Sequence, residues 1–322
     1  MPREKKLDEA KGVYSLAEET QFLSLRKEKS MRNLSALKIV LIVGLGASRG
    51  QGVTVAYEGQ FTTIDYPSAI HTVANGINSR GDIVGQYTDV AGYLHAFLLR
   101  QGSYTTIDPP TGFYALAEGI NARGDIVGWY GGTCASCTGV DGFLLRKGTF
   151  TNLDVPNAVA TEPVGINDQG DIVGLYADNA FNVHGFLLSN GTYTTIDDPN
   201  GSGTRALGIN ANSEIVGRYF DAQGNSIGFV LRHGVFTDIA DPNGINATRP
   251  LGINSRGDIV GDYFDSGNGG SHGFLLSQGI YVTIQDPLGS YGSANAINSR
   301  GDIVGWYFDG TSQHGFLMSQ QQ

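Results

Sequence analysis

Four copies of one pairing stand out as able to do chemistry: Asp89 with His95, Asp178 with His184, Asp265 with His272, and Asp309 with His314, each after a tyrosine in the pattern Tyr-x-Asp…His. A carboxylate beside an imidazole fixes its tautomer and polarises it, and the combination also ligates metals. The bland use is a hydrogen-bonded clasp across a hairpin; the sharper one is a ring of metal or glycan contacts. Because the pairs belong to separate copies along the chain, one shared ion does not follow, and no metal site is assigned. Cys134 and Cys137 are the only cysteines. Zinc wants four ligands and no second pair supplies them. A redox Cys-x-x-Cys opens a helix in a thioredoxin-like setting that is missing from the surrounding sequence. A local disulfide pinning one loop is the better expectation in an exported chain. The oxygen-rich loops Asp221–Asn225 and Asp265–Gly270 lack the ligand ladder and terminal bidentate Glu of an EF-hand, so Ca²⁺ is only weakly suggested and no cofactor is expected. Walker loops, dinucleotide fingerprints and His-Glu-x-x-His motifs do not occur.

These residues sit inside a repeat. Gly-Ile-Asn-Ser-Arg-Gly-Asp-Ile-Val-Gly begins at Gly76 and Gly252, and returns at Ala296 with alanine in first place. The Ile-Asn pair anchors six copies, at Asn78, Asn121, Asn167, Asn210, Asn254 and Asn298, spaced by 43 to 46 residues. Each copy continues through Gly-Asp-Ile-Val-Gly-x-Tyr, a loop, a His-Gly-Phe-Leu-Leu-type run and a Tyr-Thr-Thr-Ile-Asp-type run. That makes four β-favouring segments per unit, separated by Gly, Asn, Asp and Pro. A four-stranded unit of this period is a propeller blade, so the fold class is all-β, a six-bladed β-propeller. The ends support closure. Phe61–Asp65 supplies a Tyr-Thr-Thr-Ile-Asp-type strand before the first Gly-Ile-Asn, and none follows the last His-Gly-Phe run, so residues 61–65 are expected to complete the last blade. Arg-Gly-Asp occupies the turn between first and second strands. The variants Asn167-Asp-Gln-Gly170 and Asn210-Ala-Asn-Ser213 keep that turn without arginine, so the arginine reads as a soluble turn residue rather than an adhesion signal.

With His95-Ala96-Phe97 matching outright and His-Gly-Phe at His184, His272 and His314, residues 57–322 resemble the HAF family of extracellular bacterial repeats. Asp141-Gly-Phe and Ile227-Gly-Phe depart from the histidine. The resemblance implies an exported, propeller-like protein and carries over no catalytic residue.

A residue repeated in every blade serves each blade, whereas specific function is sought where the repeat varies. The position before Gly-Ile-Asn (Ala-Ile-Asn in the sixth copy) reads Asn75, Glu118, Val164, Leu207, Leu251 and Asn295. Ring closure makes Asn295, Asn75 and Glu118 a contiguous polar sector facing an apolar one. A mouth of that kind suits an amphipathic ligand such as a sugar ring. His71 and Tyr114, in the loops entering blades one and two, are expected on the same face.

Composition bounds the rest. The chain has 322 residues, 47 of them glycine, and a net charge of −10. Residues 57–322 hold 11 Lys+Arg against 25 Asp+Glu, while residues 1–56 hold 10 against 6. Such an acidic body repels a phosphate backbone, and no nucleic-acid partner is expected. Residues 1–30 form a polar extension. Residues 31–56, with Arg32, Lys38 and the apolar run Ile39–Ala47, have the tripartite form of a secretory signal. The run is too short to span a bilayer, so the mature protein is expected to have no transmembrane span and to act outside the cytoplasm as a monomer. The expected function is a non-enzymatic binding or surface-interaction module for a carbohydrate or a cell-surface protein. A carbohydrate-active or metal-dependent enzyme at the mouth and a purely structural envelope protein are the alternatives.

Overall fold

In the computed structural model the described residues are 37–42 and 56–320, apart from 111, 113, 132–139, 246, 266–269 and 286–287. Every described element is a strand. Blade one runs His71–Ile77, Ile83–Thr88, Leu94–Arg100 and Ser103–Ile107, hydrogen-bonded in that order and antiparallel throughout. Five further blades repeat it, their first strands being Tyr114–Ile120, Ala160–Ile166, Ser202–Ile209, Thr248–Ile253 and Tyr291–Ile297. The sixth blade takes its fourth strand from the opposite end of the sequence: Ala56–Ile64 pairs with Gln313–Gln320, with Phe61 opposite Met318 and Ile64 opposite Gly315. The complementary ends therefore do latch the ring. Leu37–Ile42, within the signal-like segment, adds an outer strand to Ala56–Phe61 of that blade. The remainder of that segment, the polar extension and both cysteines lie outside the described residues.

The repeated residues account for this geometry one by one. One phenylalanine per blade is fully buried in five blades (Phe97, Phe143, Phe186, Phe229, Phe274), and Phe316 is nearly so in the sixth. The apolar clusters straddle seams: Val84 of blade one packs with Ala115, Ala117 and Ile126 of blade two, and Val304 of blade six with Ile77 and Ile83 of blade one. Burying each blade's face on its neighbour is what makes a ring of thin sheets stable. The glycine of Gly-Ile-Asn is fixed by the same seams, since a Cβ on Gly76 would meet the Glu118 carbonyl oxygen at 2.7 Å.

The Asn side chains close a second ring. Asn78 Nδ2 donates to the Asn121 carbonyl (3.1 Å), Asn121 to Asn167 (3.2 Å), Asn167 to Asn210 (3.3 Å), Asn210 to Asn254 (2.9 Å), Asn254 to Asn298 (3.3 Å), and Asn298 back to Asn78 (3.1 Å). Each Asn Oδ1 meanwhile accepts backbone N–H groups of its own turn, as from Asp82 N at 3.0 Å. Gly81 occupies that turn at φ 87°, a conformation that glycine adopts without strain. The arginine of Arg-Gly-Asp is more than the soluble turn residue the sequence suggested. Arg80 pairs with Asp82 at 3.0 Å, Arg256 with Asp258 at 2.9 Å and Arg300 with Asp302 at 2.6 Å. Arg123, Arg256 and Arg300 also donate to next-blade carbonyls, at Asp168, Ser299 and Ser79. In three of its four copies the tripeptide is an inter-blade fastening.

Candidate ligand-binding site in the central channel

The first strands surround a cavity of about 650 Å³ on the ring axis. Its wall is set by a bulge. In every blade the pairing of first and second strands slips by one residue, between Ala74 and Gly76, Ala117 and Gly119, Pro163 and Gly165, Ala206 and Gly208, Pro250 and Gly252, and Ala294 and Ala296. The skipped residues are the ones that vary before Gly-Ile-Asn. A bulged residue has no cross-strand partner and its side chain is re-aimed. All six, Asn75, Glu118, Val164, Leu207, Leu251 and Asn295, line the cavity. Asn295 Nδ2 donates to the Ala74 carbonyl at 3.0 Å and lies 3.4 Å from Asn75 Oδ1, so the polar sector is physically continuous across the closure seam.

His71 and Tyr114 do not line this cavity, contrary to expectation. They begin their strands, four residues before Asn75 and Glu118, whereas the lining reaches back only two residues before the bulge, at Glu162 and Arg205, and forward to Ser79, Ala122 and Asp168 in the turns between first and second strands. His71 Nδ1 accepts the Gln313 N–H at 3.2 Å, a seam contact. Tyr114 stands edge-on behind Trp129, with ring centres 6.0 Å apart, and Trp129 itself is in the wall.

Apart from Glu118, the charged part of the wall was not foreseen from the sequence. Glu162, Arg205 and Arg218 line the cavity together with Trp129 and Leu175. They come from two columns that vary as the bulge column does: the residue two before the bulge, and the x of Gly-x-Tyr opposite it. Strand register pairs these columns as Leu116 with Trp129, Glu162 with Leu175, and Arg205 with Arg218. Burial and the neighbouring Glu162 charge push Glu118 up to about 7, against a hydrogen bond from Trp129 that favours its ionised form. Glu162 is also raised by burial, with Arg205 opposing. Arg218 is lowered to about 10 by burial and by the like charges of Arg205 and Arg249. A group poised near neutrality can hold or give up a proton at working pH.

The Asp/His pairs lie at the second-to-third-strand hairpins, at the opposite end of the first strands. The Nε2–carboxylate distances are 3.6 Å for His95–Asp89 and His184–Asp178, 3.0 Å for His272–Asp265 and 3.4 Å for His314–Asp309. In three blades a second carboxylate takes the other ring nitrogen: Asp108 at 3.1 Å from His95, Asp197 at 2.9 Å from His184 and Asp65 at 2.9 Å from His314. Blade four replaces both partners, with Ile227 and Ala240 in their places. The ring of Tyr87 stacks on His95 at 5.1 Å and that of Tyr176 on His184 at 5.1 Å. Asp89 Oδ1 accepts the Ala91 and Tyr93 N–H groups, and Asp221 Oδ1 those of Gln223 and Asn225. Those oxygens tie the hairpin rather than face an ion. Among the described residues no group of three or more His, Cys, Asp or Glu is arranged to hold a metal ion.

No family model matches the chain, and no curated protein is similar to it in sequence. Solved structures resemble it in fold. A gluconolactonase from Xanthomonas campestris is 13% identical, with TM-score 0.49 over 82% of this chain and 90% of that one. The six-bladed β-propeller lectin of Aleuria aurantia is 13% identical, with TM-score 0.43 over 72% and 86%. At these identities the likeness concerns the propeller fold alone.

Proposed function

We propose that this propeller is a binding module whose central cavity takes a small polar ligand of the carbohydrate class. One observation carries the reading. The residues that repeat around the ring are occupied in holding it together, and the positions that vary are delivered by a bulge into one cavity. There, amides from Asn75 and Asn295, carboxyls from Glu118 and Glu162, two guanidinium groups and the Trp129 ring face Val164, Leu207 and Leu251. Sugars present hydroxyls at their edges and C–H groups on their faces, and such a mixed wall matches both. The signal-like segment and the resemblance to extracellular HAF repeats support an extracytoplasmic setting, secreted, periplasmic or at the cell surface.

The test is a thermal-shift panel of mono- and oligosaccharides on the full chain. A ligand at a hundred times its Kd stabilises by about 2.7 kcal/mol, a shift of several degrees. Binding that weakens about tenfold or more in Glu118→Gln and Asn75→Ala would place it in the cavity. Equal shifts in wild type and both variants would remove the cavity from the account.

The raised pKa of Glu118 beside Glu162 favours a second reading, in which the same cavity performs acid–base chemistry on its sugar. Turnover of a bound oligosaccharide that Glu118→Gln abolishes without loss of binding would establish it, and saturable binding without turnover would discard it.

A further inference from the structure

Two arginines of the cavity wall stand without an ion-pair partner. Arg205 and Arg218 are opposite one another in register and both reach the cavity. Their guanidinium groups sit 5.6 and 5.2 Å from the centre of one ring, Phe220. On the next blade Arg249 faces Asp262 in the same register, and there the charge is answered by two charge-assisted hydrogen bonds, with Nε–Oδ1 at 2.6 Å. Among the described residues no carboxylate comes within ion-pair range of Arg205 or Arg218. Arg205 Nε is buried with no hydrogen-bond partner, and Arg218 has a long contact from Nη1 to Ser226 Oγ at 3.3 Å. Buried donors are almost always satisfied, and two arginines that line a cavity without an ion-pair partner point to an acceptor that arrives with a ligand. The acids nearby make no ion pair with them: Asp262 is engaged by Arg249, and Glu162 feels the Arg205 charge only at longer range. Two unpaired guanidinium groups thus stand side by side on the wall of a chain whose net charge is −10.

We propose that Arg205 and Arg218 are the carboxylate-recognising end of the cavity, so that the ligand is an acidic sugar, a uronate, rather than a neutral one. This rests on the carbohydrate reading above. The planar guanidinium fork matches the two oxygens of a carboxylate, and two forks flanking one aromatic ring are held in fixed positions. Phosphate is the competing anion.

The experiment titrates the full chain with D-glucuronate, D-glucose, glucose 6-phosphate and benzoate, followed by the indole N–H resonances of the two tryptophans. Wild type, Arg205→Gln, Arg218→Gln and the charge-retaining Arg205→Lys are compared. The expected result is glucuronate binding at least about tenfold tighter than glucose, reduced roughly 10- to 100-fold in either Gln variant and less in Arg205→Lys. Arg205→Gln removes an unsatisfied buried donor and is expected to keep wild-type unfolding, so lost binding is not lost folding. If glucose binds as tightly and the arginine variants bind like wild type, the uronate inference fails while the cavity reading stands. If benzoate alone binds, in an arginine-dependent way, the carboxylate site stands and the sugar reading falls. Tighter glucose 6-phosphate would replace carboxylate by phosphate, and silence from all four probes would overturn both.

Discussion

Asn295 and Asn298 stand three residues apart on one strand and its turn, and both donate to a carbonyl of the next blade, yet only the Asn298 bond is repeated around the whole ring. Asn298 has a counterpart in every blade, and each donates to the next blade's carbonyl until the ring closes on Asn78. Asn295 is the bulged residue, and its counterparts are Asn, Glu, Val, Leu and Leu. Repetition at one position and variation at its neighbour separate what the ring needs from what its cavity does. A protein built of equal blades can change the cavity one residue at a time without disturbing the seams.

The largest effect is expected where the repeated set is broken wholesale. Deleting residues 57–67 removes the strand that pairs with Gln313–Gln320 and exposes a sheet edge, and should destabilise the ring by several kcal/mol. Calorimetry should show the main transition lowered by ten degrees or more, and an unchanged Tm would contradict closure. Next comes Asn254→Ala, which loses the bond to the Asn298 carbonyl and the 2.9 Å contact with Asp258 in a buried turn. About 2–4 kcal/mol is expected in denaturant unfolding, because the partners are left buried and unpaired.

Glu118 tests the varying set. Its folded-state pKa, about 7, lies above the 4.5 of an unperturbed glutamate, so the native state binds more protons between those values. Stability should fall as pH rises from about 4.5 to about 7, by at most about 3 kcal/mol. Glu118→Gln should flatten that slope and be the more stable protein at pH 8; a slope that persists would assign the effect elsewhere. The smallest effect is at the clasp. His184→Ala removes part-exposed contacts to Asp178 and Asp197 and should cost within about 1 kcal/mol, with ligand binding unchanged. A lost ligand would move the site to the hairpin face.

The blades, their number and the latch were legible because each depends on a local pattern repeated in the sequence. The Asn ring was only half legible. The asparagine repeats, but its acceptor is the carbonyl of the same residue one blade on, which no spacing within a repeat reveals. The arginine was misjudged for the same reason, since three of its copies act on the next blade. The clasp's second carboxylate, Asp108, Asp197 or Asp65, was present in the repeat but lies a strand away from the histidine. In the cavity, the bulge column was found by its variation. Glu162, Arg205, Arg218 and Trp129 were not, because their columns join the wall only through strand register. His71 and Tyr114 were placed on the wrong face because the direction in which the lining runs is set by the bulge.

The division between seam and cavity is tested most directly by exchanging residue types at neighbouring positions of blade four. Leu207→Asn gives the bulge a residue that blades one and six already carry there, and Asn210→Leu deletes the donor to the Asn254 carbonyl at 2.9 Å. Urea unfolding of the two variants beside wild type should leave Leu207→Asn within about 1 kcal/mol and cost Asn210→Leu about 3 kcal/mol or more. Comparable losses in both, or a stable Asn210→Leu, would contradict it.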